Sequence, residues 1–151
     1  MKYMVAVDAS DHARHAFEAT KKMANKETDH IYVLFVAEEV TAVVSGAGGA
    51  YVDYSYVVKA NERVEQEGKV LLAKYGRELT ACGIPHTLLL GKGYPKEVIV
   101  NEAEEKKVDV LVMGRRGMGR VARLFLGSVS QHCVENAPCS VLVIKGEETK
   151  A

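Results

Sequence analysis

The sequence carries no surplus of charge. Its 20 Lys and Arg residues are balanced by 20 Asp and Glu across 151 residues. Without a global basic excess there is no bulk electrostatic case for nucleic acid or an anionic membrane as partner, so any basic site must be local. Cysteine is scarce as well. The three thiols are Cys82, Cys133 and Cys139, an odd number with no CxxC spacing. This argues against a disulfide framework or a structural zinc site and favours a reducing compartment. Long apolar runs are missing too. None approaches the ~20 residues needed to cross a bilayer. The opening "MKYMVAVD" reaches Asp8 too soon to build the apolar core of a signal peptide. The expectation is a cytoplasmic protein that binds neither membrane nor nucleic acid.

What is present reads as one folded domain. Hydrophobic residues make up 48% of the chain and charged residues 26%, ordinary values for a globular protein of a size that can bury a full core. Short runs rich in Val, Leu and Ile occupy residues 3–7, 31–37, 86–90, 108–113 and 141–144. They are nearly continuous rather than alternating, the pattern of strands buried on both faces. Helical spacing lies between them. Ala13, Ala16, Phe17, Thr20, Met23 and Ala24 recur on one face, with Ser10 placed to cap. Val64, Gly68, Leu71, Leu72, Tyr75 and Leu79 suggest a second helix, weakened by Gly68 and Gly76 and ended by Gly83 and Pro85. A third begins near Pro95 and runs to about Lys107. A fourth carries Val129, His132, Cys133 and Asn136, with Pro138 as its stop. Strand–helix alternation of this kind predicts an α/β fold: a doubly wound, five-stranded parallel sheet with helices on both faces. Residues 1–146 form that domain and 147–151 a frayed tail. The glycine-rich stretch 41–55 breaks the rhythm and is expected to be a long surface loop, either a lid or an insertion.

In such a sheet, ligands bind beyond the carboxyl ends of the strands where the order reverses. The turns after the first and fourth strands are the ones expected to meet there. The latter reads "MGRRGMGRVARLFLGS". Glycines there let a ligand approach the backbone, and successive N–H groups can line an anion-binding concavity. Gly127 and Ser128 open a helix whose free amides and dipole favour a phosphate. The Ser128 and Ser130 hydroxyls can add hydrogen bonds, and Arg115, Arg116, Arg120 and Arg123 bring local positive charge. This is not the Walker-type loop, because GxxxxGK[ST] is absent. Nor does "GAGGA" at 46–50 follow a strand as a dinucleotide fingerprint must.

The spacing Gly114-x2-Gly117-x9-Gly127-Ser128, with "VAVDASDHA" before it and "ENAPCSVLVIK" after it, resembles the ATP-binding branch of the universal stress protein family over nearly the whole chain. Ala9 and Ser140 depart from the family's frequent glycine and proline, away from positions that would touch phosphate. The resemblance implies a flavodoxin/Rossmann-like strand order 3-2-1-4-5 with ATP between strands one and four. By position, Val7, Asp8 and Ala9 would border the adenosine and Val36 would meet the adenine. Met113 and Gly114 would lie against the ribose. Gly117, Gly127, Ser128, Val129 and Ser130 would hold the phosphates. Any accompanying Mg2+ would be bound mainly by phosphate oxygens and water. The resemblance further implies a homodimer paired through the last strand, residues 141–144, an edge that needs covering.

Asp8 has two readings of its own: a carboxylate for an adenine amino group or ribose hydroxyl, or a turn residue before the first helix. His12 and His15 stand three apart on that helix, but without a third firm ligand they read as a solvated face, and no metal site is expected. Cys133 and Cys139 read as buried thiols. No base, water-positioning residue or phosphate-loop lysine can be picked out, so no catalytic residue is assigned. The expected function is nucleotide-dependent stress response or signalling with little or no turnover. A slow ATPase or other nucleotide-hydrolysing enzyme of the same fold is the alternative.

Overall fold

The computed structural model describes residues 1–40, 54–115 and 126–146. Five strands alternate with four helices: β1 (Lys2–Val7), α1 (Asp11–Met23), β2 (His30–Ala37), α2 (Tyr54–Cys82), β3 (His86–Lys92), α3 (Pro95–Glu105), β4 (Val110–Gly114), α4 (Ser128–Asn136) and β5 (Ser140–Ile144). The sheet order is β3-β2-β1-β4-β5, as the resemblance implies, and every pairing is parallel. The chain therefore reverses its direction of travel across the sheet between β1 and β4.

The period-2 alternation of the strands divides the core. Tyr3, Val5, Val7, Ile31, Val33 and Val112 face α1 and α2, where they pack on Ala16, Phe17, Leu72, Tyr75 and Leu79. Met4, Leu34, Leu111 and Met113 face the other way, against Ile99 and Ala103 of α3 and Cys133 of α4. Large side chains such as Phe17, Met4, Ile31 and Leu79 are fully buried, each contributing on the order of 1.5–3 kcal/mol of apolar transfer. Burial pushes the Cys133 thiol up to about 11, aided by neighbouring Cys139, so it stays protonated at neutral pH. Cys139 is half-buried rather than buried, and Cys82 is exposed.

Helix ends follow local chemistry. The Ser10 side chain accepts from the Ala13 N–H at 3.1 Å and so caps α1. Gly83, at φ 69°, ends α2 by donating to the Thr80 carbonyl, while Ile84 donates to that of Leu79, both at 3.0 Å. This is a Schellman closure with Leu79 and Ile84 buried beneath it. The two helix glycines of α2 are packing contacts. A side chain at Gly68 would run into the Phe35 ring, and one at Gly76 would come within 2.9 Å of Leu88. Close approach of α2 to β2 and β3 thus outweighs the propensity cost of about 1 kcal/mol per glycine.

Most boundaries differ from expectation by one or two residues, α3 for instance ending at Glu105 and β3 at Lys92, and two differences have a clear cause. Helix α2 begins at Tyr54, inside the stretch 41–55 read as loop, and the remainder of that stretch, 41–53, lies outside the described residues. Its first turns show no buried face, since Tyr54 is 69% and Tyr56 71% exposed, so there was no apolar period to read. Strand β4 starts at Val110 rather than 108. Val108 instead donates to the Ala103 carbonyl and closes α3. Residues 147–151, read as a tail, are outside the described residues. No described helix is long and apolar enough to cross a membrane.

A charged network ties α1 to α2. The Arg14 guanidinium grips the Glu78 carboxylate with two hydrogen bonds, 2.6 and 2.8 Å, and also pairs with Glu18. It lies over the rings of Phe17 and Tyr75 at 5.5 and 5.6 Å. The Arg14 hydrogen bonds hold the Glu78 carboxyl below its ordinary range. A carboxylate lowered on folding stabilises the native state above its unfolded pKa, and that contribution fades as pH falls through the lowered value. Glu78→Gln should therefore cost about 1 kcal/mol or less at pH 7, given the partial exposure of the pair. Urea titrations across pH should show the difference from wild type shrinking to nothing in acid below the ordinary carboxylate range. A difference that persists there would contradict this account.

Candidate functional site

A cavity of about 350 Å³ opens at the carboxyl ends of the strands, on the α3/α4 side, where the strand order reverses. Its size lies near the lower end of the ~300–1,000 Å³ usual for small-molecule sites. The floor is apolar: Ala6 and Val7 of β1, Leu34 and Val36 of β2, and Met113 and Gly114 of β4. Pro95 and Ile99 of α3 form one wall, Val129 and Ser130 of α4 the other, with the more exposed Asp8 and Glu38 at the rim and buried Ala13 completing the lining.

The structure brings together Val7, Asp8, Val36, Met113, Gly114, Val129 and Ser130 around this one space. Ala9, Gly127 and Ser128 adjoin lining residues along the chain but are not themselves part of the described lining. Gly117, Arg116, Arg120 and Arg123 lie outside the described residues. Sequence reasoning missed Glu38, Pro95, Ile99, Leu34, Ala6 and Ala13. The first of these sits one residue past β2, a position the rule for ligand sites at strand ends could have flagged.

The corner after β4 is built from hydrogen bonds. The Ser130 hydroxyl donates to the Gly114 carbonyl at 2.8 Å and leans toward that of Arg115 at 3.3 Å. The Gly127 N–H donates to the Arg115 carbonyl at 2.8 Å, and the Arg115 N–H reaches Ile144 at 3.2 Å. These bonds hold Gly127 and Ser130 against the end of β4. With the Ser130 proton engaged in this tie, the group it has left to donate is its backbone N–H. Helix α4 has Gly127 at its N-cap and no side-chain cap, in contrast to α1. Its leading amides are therefore left without the side-chain acceptor that usually satisfies them, at the positive end of the helix dipole. At the other turn, the Asp8 carboxylate accepts the Ser10 N–H at 2.8 Å. It thus holds the turn with one oxygen while it sits on the cavity rim.

Gly114 is constrained from behind. A Cβ there would lie 2.6 Å from the His12 carbonyl oxygen and 2.7 Å from its carbon. The glycine lets β4 pass directly beneath the first turn of α1, whatever room it also leaves for a ligand.

The sequence matches the universal stress protein family over residues 1–145. A universal stress protein of Thermus aquaticus is 34% identical over 144 residues, covering 94% of this chain and 96% of its own. Among solved structures, the universal stress protein UspA of Lactobacillus plantarum has a TM-score of 0.81 at 23% identity, covering 95% of this chain and 97% of that one. A universal stress protein of Arabidopsis thaliana, solved with AMP bound, has a TM-score of 0.67 at 26% identity, covering 99% of this chain and 94% of that one.

Because the obstacle behind Gly114 is backbone, it cannot swing aside as a side-chain tip would. Gly114→Ala should destabilise the fold by about 1–3 kcal/mol. This would appear as a lower urea midpoint at unchanged slope. Wild-type stability in this variant would show that α1 and β4 are less tightly apposed than described.

Proposed function

The chain belongs to the universal stress protein family, and from that premise we propose that it binds an adenine nucleotide, ATP foremost, in the cavity between β1 and β4. The observation that carries this reading is the pairing of an apolar pocket at the switch point with an uncapped helix end beside it. The pocket suits a flat base and a ribose. The α4 amides offer an anion the donors that no side chain has claimed. Val7, Asp8, Ala9 and Val36 take the adenosine, Met113 and Gly114 the ribose, and Gly117, Gly127, Ser128, Val129 and Ser130 the phosphates. AMP bound to the Arabidopsis thaliana relative supports a mononucleotide as ligand class. Mg2+ arriving with ATP would be coordinated chiefly by phosphate oxygens and water.

The protein acts by holding the nucleotide and coupling its presence to a partner, with little or no turnover. Phosphoryl transfer to water needs a residue that positions or deprotonates the water. The cavity's described lining offers Asp8, already bound to the Ser10 amide, and the rim carboxylate of Glu38. In the same reading the chain is a homodimer. Among the described residues, strand β5 ends the sheet with one edge unpaired, and pairing with the same strand of a second copy would satisfy it.

Calorimetry should give micromolar-range binding of ATP, and Gly127→Val should weaken it at least tenfold by placing a branched side chain at the head of α4. No heat of binding at millimolar nucleotide would refute the assignment. Steady-state hydrolysis above about 1 per second, lost in Ser128→Ala, would replace it with the ATPase reading. Sedimentation at high micromolar protein should show a dimer, and a monomer throughout would remove the β5 contact.

A further inference from the structure

The cavity has two ends of opposite electrostatic character. At the α4 end lie uncapped helix amides. At the other, just past the end of β2 and so across β1 from β4, lies Glu38. Asp8 adds a second carboxylate to the rim, and no Lys or Arg is present in the described lining. Carboxylates only accept hydrogen bonds and repel phosphate. A nucleotide in this space is therefore oriented with phosphates toward α4 and base toward β2 and α3, where it meets Glu38.

The backbone around Glu38 is fixed on both sides. The Ala37 carbonyl accepts the Gly93 N–H at 3.1 Å. Two residues beyond Glu38, the Asn61 side chain of α2 holds Val40 at both its polar groups. Asn61 Oδ1 accepts the Val40 N–H at 2.7 Å, and Nδ2 donates to the Val40 carbonyl at 3.3 Å. Glu38 is thus an exposed acceptor carried on a clamped tripeptide. A placed acceptor distinguishes ligands by whether they present a donor to it.

We propose that Glu38 is a specificity-determining residue, accepting a hydrogen bond from the exocyclic amino group of the base and disfavouring a base with a carbonyl at that place. The inference rests on the nucleotide reading above and adds to it the residue that chooses the base.

The test compares ATP with inosine triphosphate, which carries the same phosphates but a carbonyl in place of the amino group, so the phosphate contribution cancels in the ratio of affinities. Both are titrated into the full chain as wild type, Glu38→Ala and Glu38→Lys. Substitutions at this exposed position should leave the thermal unfolding curve unchanged. Wild type should favour ATP by about tenfold, the effect of one hydrogen bond to a charged acceptor. The ratio should fall to about one in Glu38→Ala and reverse in Glu38→Lys, whose ammonium donates to the carbonyl. A ratio unchanged in Glu38→Ala overturns the role of Glu38 while leaving nucleotide binding intact. Failure of wild type to bind either nucleotide overturns the nucleotide reading and this inference with it.

Discussion

The close contact between the end of β4 and the first turn of α1 governs the rest of the architecture. A main chain with no side chain at Gly114 runs under the His12 carbonyl, and everything downstream is aimed from that point. The Gly114 and Arg115 carbonyls receive the Ser130 hydroxyl, and Arg115 also receives the Gly127 amide. The direction in which α4 enters the fold is set by these bonds. Were β4 held further from α1 by a methyl group, the acceptors would shift and the helix with them. The glycine that sequence reading assigned to ligand access therefore has an internal role as well.

The Ser128–Ser130 turn divides its labour in a way the sequence does not reveal. Ser130 is 3% exposed and faces inward to the strand, whereas Ser128 is exposed. Both hydroxyls look equivalent as letters in a phosphate-binding pattern. Only the pitch of the helix separates the one that braces the corner from the one left for solvent or ligand.

The regularities that could be read from the sequence were those with a short-range physical cause. Buried strands appear as unbroken Val, Leu and Ile runs, Ser10 and Gly83 mark helix ends by their own chemistry, and together with the family resemblance they give the sheet order. The lining residues on β1, β2 and β4 follow once that order is known. Illegible were features that depend on what lies across a gap. Pro95 and Ile99 reach the cavity through the placement of α3, which no local spacing encodes. The start of α2 was hidden because its leading turns bury nothing, so the helical period had no apolar mark.

The same helix illustrates how unevenly a fold can be held. The buried residues of α2 run from Gly68 to Leu79, and the Arg14 grip and the Schellman closure also belong to its second half. The turns before Gly68 bury no residue fully, and their ties to the rest of the fold include the Asn61 clamp and the ion pair of Glu65 with Lys92 of β3 at 3.1 Å. Such a rod breathes from one tip: its leading amides exchange with solvent through small local openings, while those near Leu72 and Leu79 wait for the domain to unfold as a whole.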